Sequence, residues 1–493
     1  MKRLQSYTGV SQIAALMAAL LLGTVACAPS PRGTPPAVAP TVDETGSALG
    51  RRATEILQRA IGIITVNPPG DEKPLAEYFV ALLREGGVES ALIETPAGES
   101  AVGRAAAWGR VPGSGDGAPI VLLSHLDVVP AGDSGWSSDP FAGERVDGFV
   151  VGRGAIDAKG VAVVHLVTLL ELARRNVTLD RDVIFLATPD EESGGRLGAG
   201  TLLRERPDLL FGADYLLTEG GSVQLTGDEG RPLWSVAVTE KSPCWLRVVS
   251  RGTPGHSSVP PRDAAVPRLI AALDRLERIE MPVRVVPPAA AMFAAMAELA
   301  PEPDRAGYQD LANVLESDLA FRSRFLENRH YAALVRNTLT TTVLAGSSRI
   351  NVLPASASAH IDARLLPGSS CTAFADEIRN VFADPGIGVE TLLSFPAAIS
   401  SADSPLFRAI EGVAASGDPG AVVVPRMIAG FTDAHYFRNA GITAYGFVPR
   451  WHRVDEPRGV HGPDERISVR NLERGVATMI AILKELDRIE AVE

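Results

Sequence analysis

Apolar positions fall into two repeating patterns along the chain, and their alternation predicts an α/β protein. "ATEILQRAIGII" and "PLAEYFVALLREGG" carry helical spacing, the second closed by a pair of glycines. "APIVLLS" (Ala118–Ser124), "DVIFLAT" (Asp182–Thr188) and "DYLLT" (Asp214–Thr218) are short unbroken apolar runs, the pattern of strands covered on both faces. "GVAVVHLVTLLELARR" between the first two reads as a helix, and strand–helix–strand order predicts a largely parallel sheet. After Lys241 the character changes. "CWLRVVSRG" reads as a strand, "AAVPRLIAALDRLERI" as a helix, "NTLTTTVLAG" and "NVLPASASAHIDARLL" as alternating strands, "CTAFADEIRNVFA" as a helix and "GVETLLSF" as a strand. That β-α-β-β-α-β order is a ferredoxin-like module, carrying a helical insertion around Met292–Tyr331. The first pattern then resumes with "SPLFRAIEGVAASG", "ITAYGFVP" and "NLERGVATMIAILKELDRI". One domain, at 51–241 and 398–493, is therefore expected to be interrupted by another at 242–397.

A chain of 493 residues is long enough for two cores. With 47 basic against 59 acidic residues and no Lys/Arg block, nucleic acid is excluded as an expected partner. The first 27 residues read as a leader. Lys2 and Arg3 precede the apolar run Ile13–Ala26, which is short for a membrane span, and "TVAC" resembles a bacterial lipoprotein cleavage box ending at Cys27. Thr24 stands where such boxes usually carry Leu. Residues 28–50, rich in proline, read as a tether. Export to the bacterial cell envelope is expected, lipid-anchored through Cys27 or soluble in the periplasm, with no other membrane attachment. Cys244 and Cys371 do not make a disulfide framework; a single bridge between them is left open but not supported by their spacing, and such cysteines are more often buried small apolar residues.

Three loops bearing acids or histidine each follow one of the buried strands: "SHLD", "PDEE" and "EGG". Ligands of open α/β sheets bind beyond the carboxyl ends of the strands, so His125, Asp127, Glu191, Glu192 and Glu219 are expected to converge. "VGRGAIDAKG" adds Asp157 in a glycine-rich loop, and "GVHGPDE" adds His461 before the final helix. Each piece has an ordinary explanation by itself. An acidic helix start complements the helix dipole, and a strand-end His or Asp commonly satisfies loop backbone. Their threefold recurrence at strand ends favours a cation. Zinc takes both imidazole and carboxylate ligands, whereas magnesium has little use for imidazole.

"HLDVVPAGDSGWSSDPFAGERVDGFVVGRGAIDAKG", "ATPDEESGG", "LLTEGG", "GTPGHSS", "INVLPASASAHIDAR" and "GVHGPDERI" resemble, in order, the motifs of the dinuclear zinc aminoacylase and carboxypeptidase family. This group includes glutamate carboxypeptidase, succinyl-diaminopimelate desuccinylase and acetylornithine deacetylase. The helical insertion and "RNTLTTTVLAG" are most similar to its carboxypeptidase S and N-acyl-amino-acid synthase/hydrolase branch. The resemblance implies a zinc-peptidase domain interrupted by a lid or dimerisation domain, with two zinc ions per chain. Asp157 would bridge them, with His125 and Glu219 on one and Glu192 and His461 on the other. Glu191 would be the general base, and Asp127 would fix the tautomer of His125. His256, contributed within family dimers by the partner subunit in many cases, would hold the oxyanion. Asn351, Arg364, Gly430 and Thr432 would meet the substrate, Arg364 as a carboxylate clamp. The implied reaction is hydrolysis of a peptide or N-acyl-amino-acid amide bond.

The chain departs from the family pattern at Ala158 after the bridging Asp157, at Phe431 in "AGFTDAHYF", and at His435, where relatives commonly carry Arg. These bear on the substrate pocket. His165 reads as a packed core residue, His330 and His452 as surface residues, and His435 is open between packing and a substrate contact. Rival readings are an aminopeptidase, which would not need a lid carrying His256, a reversible N-acyl-amino-acid synthase with an apolar acyl pocket, and a silent membrane-tethered binding module, which should have lost Glu191 or a ligand.

Overall fold

The computed structural model describes residues 47–226, 230–453, 456 and 459–492. The leader, and the tether up to residue 46, lie outside them. A ten-stranded mixed sheet forms the main layer. At its centre Gly117–His125 runs parallel to Arg181–Thr188 on one side and to Tyr215–Thr218 on the other, and Thr443–Gly446 continues the parallel run. Antiparallel strands Glu89–Thr95 and Arg104–Val111 close one edge.

Period-two alternation feeds two cores from the same strands. Ile120, Leu122, Val183, Phe185 and Ala187 point into one, packed by the helices Ala48–Gly62, Lys73–Glu85, Lys159–Arg174, Pro405–Gly417 and Val469–Glu490. Val121, Leu123, Ile184 and Leu186 point into the other, under the short helices Ala199–Glu205 and Ala434–Asn439. Burial on both faces is why these strands read as continuous apolar runs. The final helix is amphipathic and is started by Ser468, whose hydroxyl accepts from the amide of Asn471.

A separate four-stranded antiparallel sheet is built from Ser242–Arg251, Thr338–Ala345, Ser356–Leu365 and Ile387–Ser394, with Ala265–Glu277 and Cys371–Phe382 packed on one face. In chain order its strands lie 4-1-3-2 across the sheet, the ferredoxin-like arrangement that the order of elements predicts. The chain leaves and re-enters the main layer at adjacent points, where the amide of Ala397 donates to Ser242 Oγ at 2.8 Å. The helical insertion is longer than expected, running from Pro287 to Leu334. Its aromatic core includes Phe293, Phe321 and Phe325, with Met427 of the main sheet packed against them.

Two expectations are corrected. Cys244 and Cys371 are bridged, because the start of a sheet strand and the start of the helix above it bring their Cα atoms to 5.4 Å. A 127-residue separation hides that proximity from the sequence. His452 is buried rather than on the surface. Trp451–Arg453 adds a strand beside Ser222–Thr226, which turns the ring onto Ser222 Oγ at 3.0 Å. His165 is fully buried and His330 exposed, as expected.

Candidate metal centre

The carboxyl ends of the three central strands deliver the acids together. His125 ends the first strand. Asp190, at φ 78°, breaks the chain after the second into a single 3₁₀ turn, Glu191–Ser193, and Glu219 follows the third. The two glycines after the acids are needed there. Gly194 and Gly195 have φ of 99° and 68°, and a Cβ on Gly195 would lie 2.0 Å from Asp433 Oδ1.

Asp157 lies between two imidazoles. Its Oδ1 is 3.0 Å from His125 Nε2 and its Oδ2 is 3.1 Å from His461 Nε2. Glu219 Oε1 and Glu191 Oε2 approach His125 Nε2 at 3.5 and 3.9 Å, while Glu192 Oε2 is 3.3 Å from His461 Nε2. Two groups of potential ligand atoms result, His125–Asp157–Glu192 and His125–Glu191–Glu219, each with its atoms within 4.8 Å of one another. All the sequence-predicted metal residues are thus brought together. His461 is the most open of them, its side chain 53% exposed on a turn where its own φ is 56°.

The electrostatics call for a cation. Burial pushes the Glu191 carboxyl well up, with Glu219 and Glu192 adding to it against the opposing His125. Burial also raises Glu192, and raises Glu219 to about 7. Burial alone would lower His125, yet Glu219, Asp127 and Asp157 hold it well above its ordinary value. Hydrogen bonds donated to Asp157 and Glu192 raise His461 to about 10. Asp127, Asp157, Glu191, Glu192 and Glu219 are five carboxylates facing two imidazoles, and the buried Glu192 Oε1 has no hydrogen-bond partner. Mixed nitrogen and oxygen donors with an orphaned carboxylate oxygen fit a metal ion.

Asp127 does more than face His125. The ring's Nδ1 lies 2.9 Å from the Asp127 carbonyl oxygen and 3.5 Å from its carboxylate. The carboxylate itself accepts from the amides of Glu191 and Glu192, at 3.1 and 3.0 Å, and from Asn67 Nδ2 at 2.8 Å. Arg104, buried behind, holds Asn67 Oδ1 at 2.8 Å and Glu72 at 2.7 Å, and lies 3.3 Å from Asp190. Sequence reasoning missed Asn67, Glu72 and Arg104, which sit in a turn, just before a helix and at the start of a strand, without a motif. It also missed Glu465, although that acid stands within the quoted "GVHGPDERI".

The remaining predicted residues divide into two places. Arg364 lies where the four-stranded sheet meets the loop before Asp433. Asp362 grips its Nε and Nη2 at 2.7 and 3.0 Å, and its guanidinium lies 4.9 Å from the centre of the Phe431 ring. Its guanidinium also lies over the Trp245 ring, and Phe395 extends the aromatic cluster through Phe431. Thr432 is buried and donates to Glu240 Oε2, while Gly430 is exposed with open space about it. His435 is buried, stacks on Phe395 at 3.4 Å and donates from Nδ1 to the Thr432 carbonyl. Burial pushes its pKa down to about 4, so the ring is neutral. His256 and Asn351 lie elsewhere, side by side on the outer surface of the inserted module, where Gly255–His256 pairs with Val352–Leu353. His256 Nδ1 accepts from Ser258, which leaves the proton on Nε2. Within one chain no contact joins either residue to the metal cluster among the described residues.

The family sequence model described as peptidase family M20/M25/M40 matches residues 121–485. The chain is similar to the mouse protein named N-fatty-acyl-amino acid synthase/hydrolase PM20D1, 31% identical over 393 residues that cover 75% of this chain and 74% of that one. It is also similar to the Dictyostelium discoideum protein named probable carboxypeptidase S-like 2, 27% identical over 75% of this chain and 72% of the other. Among solved structures, the M20 family metallo-carboxypeptidase Sso-CP2 from Sulfolobus solfataricus shares the fold. The TM-score is 0.68 at 18% identity, over 90% of this chain and all of that one.

Proposed function

Because the chain belongs to peptidase family M20/M25/M40, we propose that it is a two-zinc hydrolase of peptide or N-acyl-amino-acid amide bonds whose substrates carry a free carboxylate. The observation that carries this reading is Asp157, whose two oxygens face the two imidazoles. His125, Glu219 and Asp157 would hold one ion, and His461, Glu192 and Asp157 the other. When bound, the ions supply a water of lowered pKa and polarise the scissile carbonyl.

The protein's own groups do the rest. Glu191 Oε2, held over the centre by the amide-to-Asp127 bond of its own residue, takes the proton of the attacking water and returns it to the leaving nitrogen. The buried, neutral His435 and the rings of Phe395, Phe431 and Trp245 exclude water from the cleft beside it. Arg364 receives the substrate carboxylate. Asp362 fixes the guanidinium plane through Nε and Nη2, and Nη1 is not part of that fork. His256 Nε2–H donates to the developing oxyanion from a partner copy.

A panel of carboxyl-terminal dipeptides, long-chain N-acyl amino acids and amino-terminal amides, scored for released amine, tests the reading. Release is expected from the carboxylate-bearing members. Arg364→Met is expected to raise their KM by about 10- to 100-fold while changing kcat less. Release from free-amine substrates alone would make the protein an aminopeptidase. Substantial release from long-chain substrates, with resynthesis from fatty acid and amino acid, would favour the reversible synthase that the mouse relative's name describes.

The exposed edge of the inserted module supports a homodimer. Thr338–Ala345 is an edge strand with Val343 and Leu344 exposed, and Ile350 and Val259 are exposed around His256. Pairing of two copies along this edge would bring the partner's His256 towards the metal centre. Sedimentation is expected to give twice the chain mass, and the charged variant Leu344→Lys with Ile350→Asp to give a monomer of low activity.

A further inference from the structure

Glu465 is a fully buried carboxylate with every donor around it drawn from one short loop. Its Oε1 accepts from the amides of Ile156 and Asp157 at 2.7 and 2.9 Å. Its Oε2 accepts from the amide of Gly154 at 3.1 Å and from Arg153 Nη1 at 2.7 Å. The Gly152 amide closes the set on the Glu465 carbonyl at 2.8 Å. The loop so gathered carries Asp157. Glu465 itself ends the tight turn that carries His461, a turn with Gly459 at φ 71° packed against the Glu465 backbone.

We propose that Glu465 is a positioning residue that sets the separation of Asp157 and His461 and thereby the affinity for the metal ion those two side chains share. This rests on the two-zinc reading above. A buried ion pair with Arg153 alone would need one oxygen. Here both oxygens are filled, three of the four side-chain bonds come from backbone amides, and one of those amides is that of Asp157. Sequence separations of 308 to 312 residues are spanned by a single side chain. Glutamine has nearly the same shape, but its NH₂ group must face two donors whichever way it is turned. One side of the loop would then lose its acceptor and move.

The test is zinc titration of the metal-stripped protein against a chromophoric chelator, with thermal unfolding measured in parallel. Glu465→Gln is expected to weaken zinc binding about 10- to 100-fold, the range of supporting groups around metal ligands. Arg181→Met removes a buried ion pair with Asp487 and Glu490 far from the centre. It should lower the unfolding temperature and leave zinc affinity at the wild-type value, the behaviour of a residue that only stabilises. Should Glu465→Gln fail to fold, Arg153→Met leaves the carboxylate and its three amide donors in place and is expected to weaken zinc binding in the same direction. A folded Glu465→Gln protein with wild-type zinc affinity overturns the proposal. A wild-type protein that takes up no zinc overturns the two-zinc reading beneath it instead.

Discussion

Glu191→Gln is expected to lower turnover about a thousandfold, within the range for loss of a general base, while zinc content stays at the wild-type value. On the proposed reading the two roles fall to neighbouring residues. Glu192 Oε2 lies 3.3 Å from His461 Nε2, which groups it with the proposed ligands. Glu191 Oε2 is the more distant of the acids around His125 Nε2, at 3.9 Å. The main chain of both is held by Asp127 through their amides, bonds that a change from carboxylate to amide in the side chain does not touch. Glu192→Gln should therefore lose metal, and Glu191→Gln only the proton transfer. Steady-state kinetics and metal analysis on the same preparations check this. A zinc-loaded Glu191→Gln enzyme with wild-type turnover would remove Glu191 from the mechanism.

The legible part of this site was the part tied to strand ends. His125, Glu191 and Glu219 each follow an unbroken apolar run, and a parallel sheet leaves such residues no choice but one edge. Asp157 and His461 were legible as candidates from a glycine-rich loop and a turn before the final helix, but their pairing came from the family resemblance, because both sit in loops where no periodicity applies. The supporting layer was illegible for a physical reason. Asn67 and Arg104 act on Asp127 through contacts between segments about 60 and 37 residues apart, and nothing local requires those residue types. The Cys244–Cys371 bridge was hidden in the same way, since spacing along the chain says nothing of a strand packed under a helix. Burial misled at His452, where a three-residue strand is too short to show alternation. The helical insertion was recognised but drawn short, its first turn masked by Pro287 and Pro288, which are tolerated at a helix start.

Asp157→Asn is expected to cost more than any supporting substitution, because it removes one charge and one ligand oxygen from the only carboxylate that reaches both imidazoles among the described residues. Burial opposes the charged form of Asp157, yet hydrogen bonds from His125 and His461 hold its carboxyl far below the usual range, so in the folded protein it is a full anion. An asparagine keeps one oxygen and must present NH₂ to the other ring. The two rings are not equally able to cope. His125 is enclosed, fixed through Nδ1 to the Asp127 carbonyl and accompanied by Glu219 and Glu191. His461 is half exposed on a loop and, among the described residues, has Glu192 as its one other acidic neighbour at this distance. The side served by His461 should therefore empty first, lowering bound zinc from two ions per chain to about one, with affinity for the second reduced beyond about a hundredfold. On the two-zinc reading proposed above, turnover should fall with it, because both ions would be needed to supply the activated water and to polarise the carbonyl. Metal analysis after dialysis against a weak chelator, alongside amine release, reads both quantities. Two zinc ions retained at wild-type affinity would mean that Asp157 is not the shared ligand, and the two histidines would then mark separate sites.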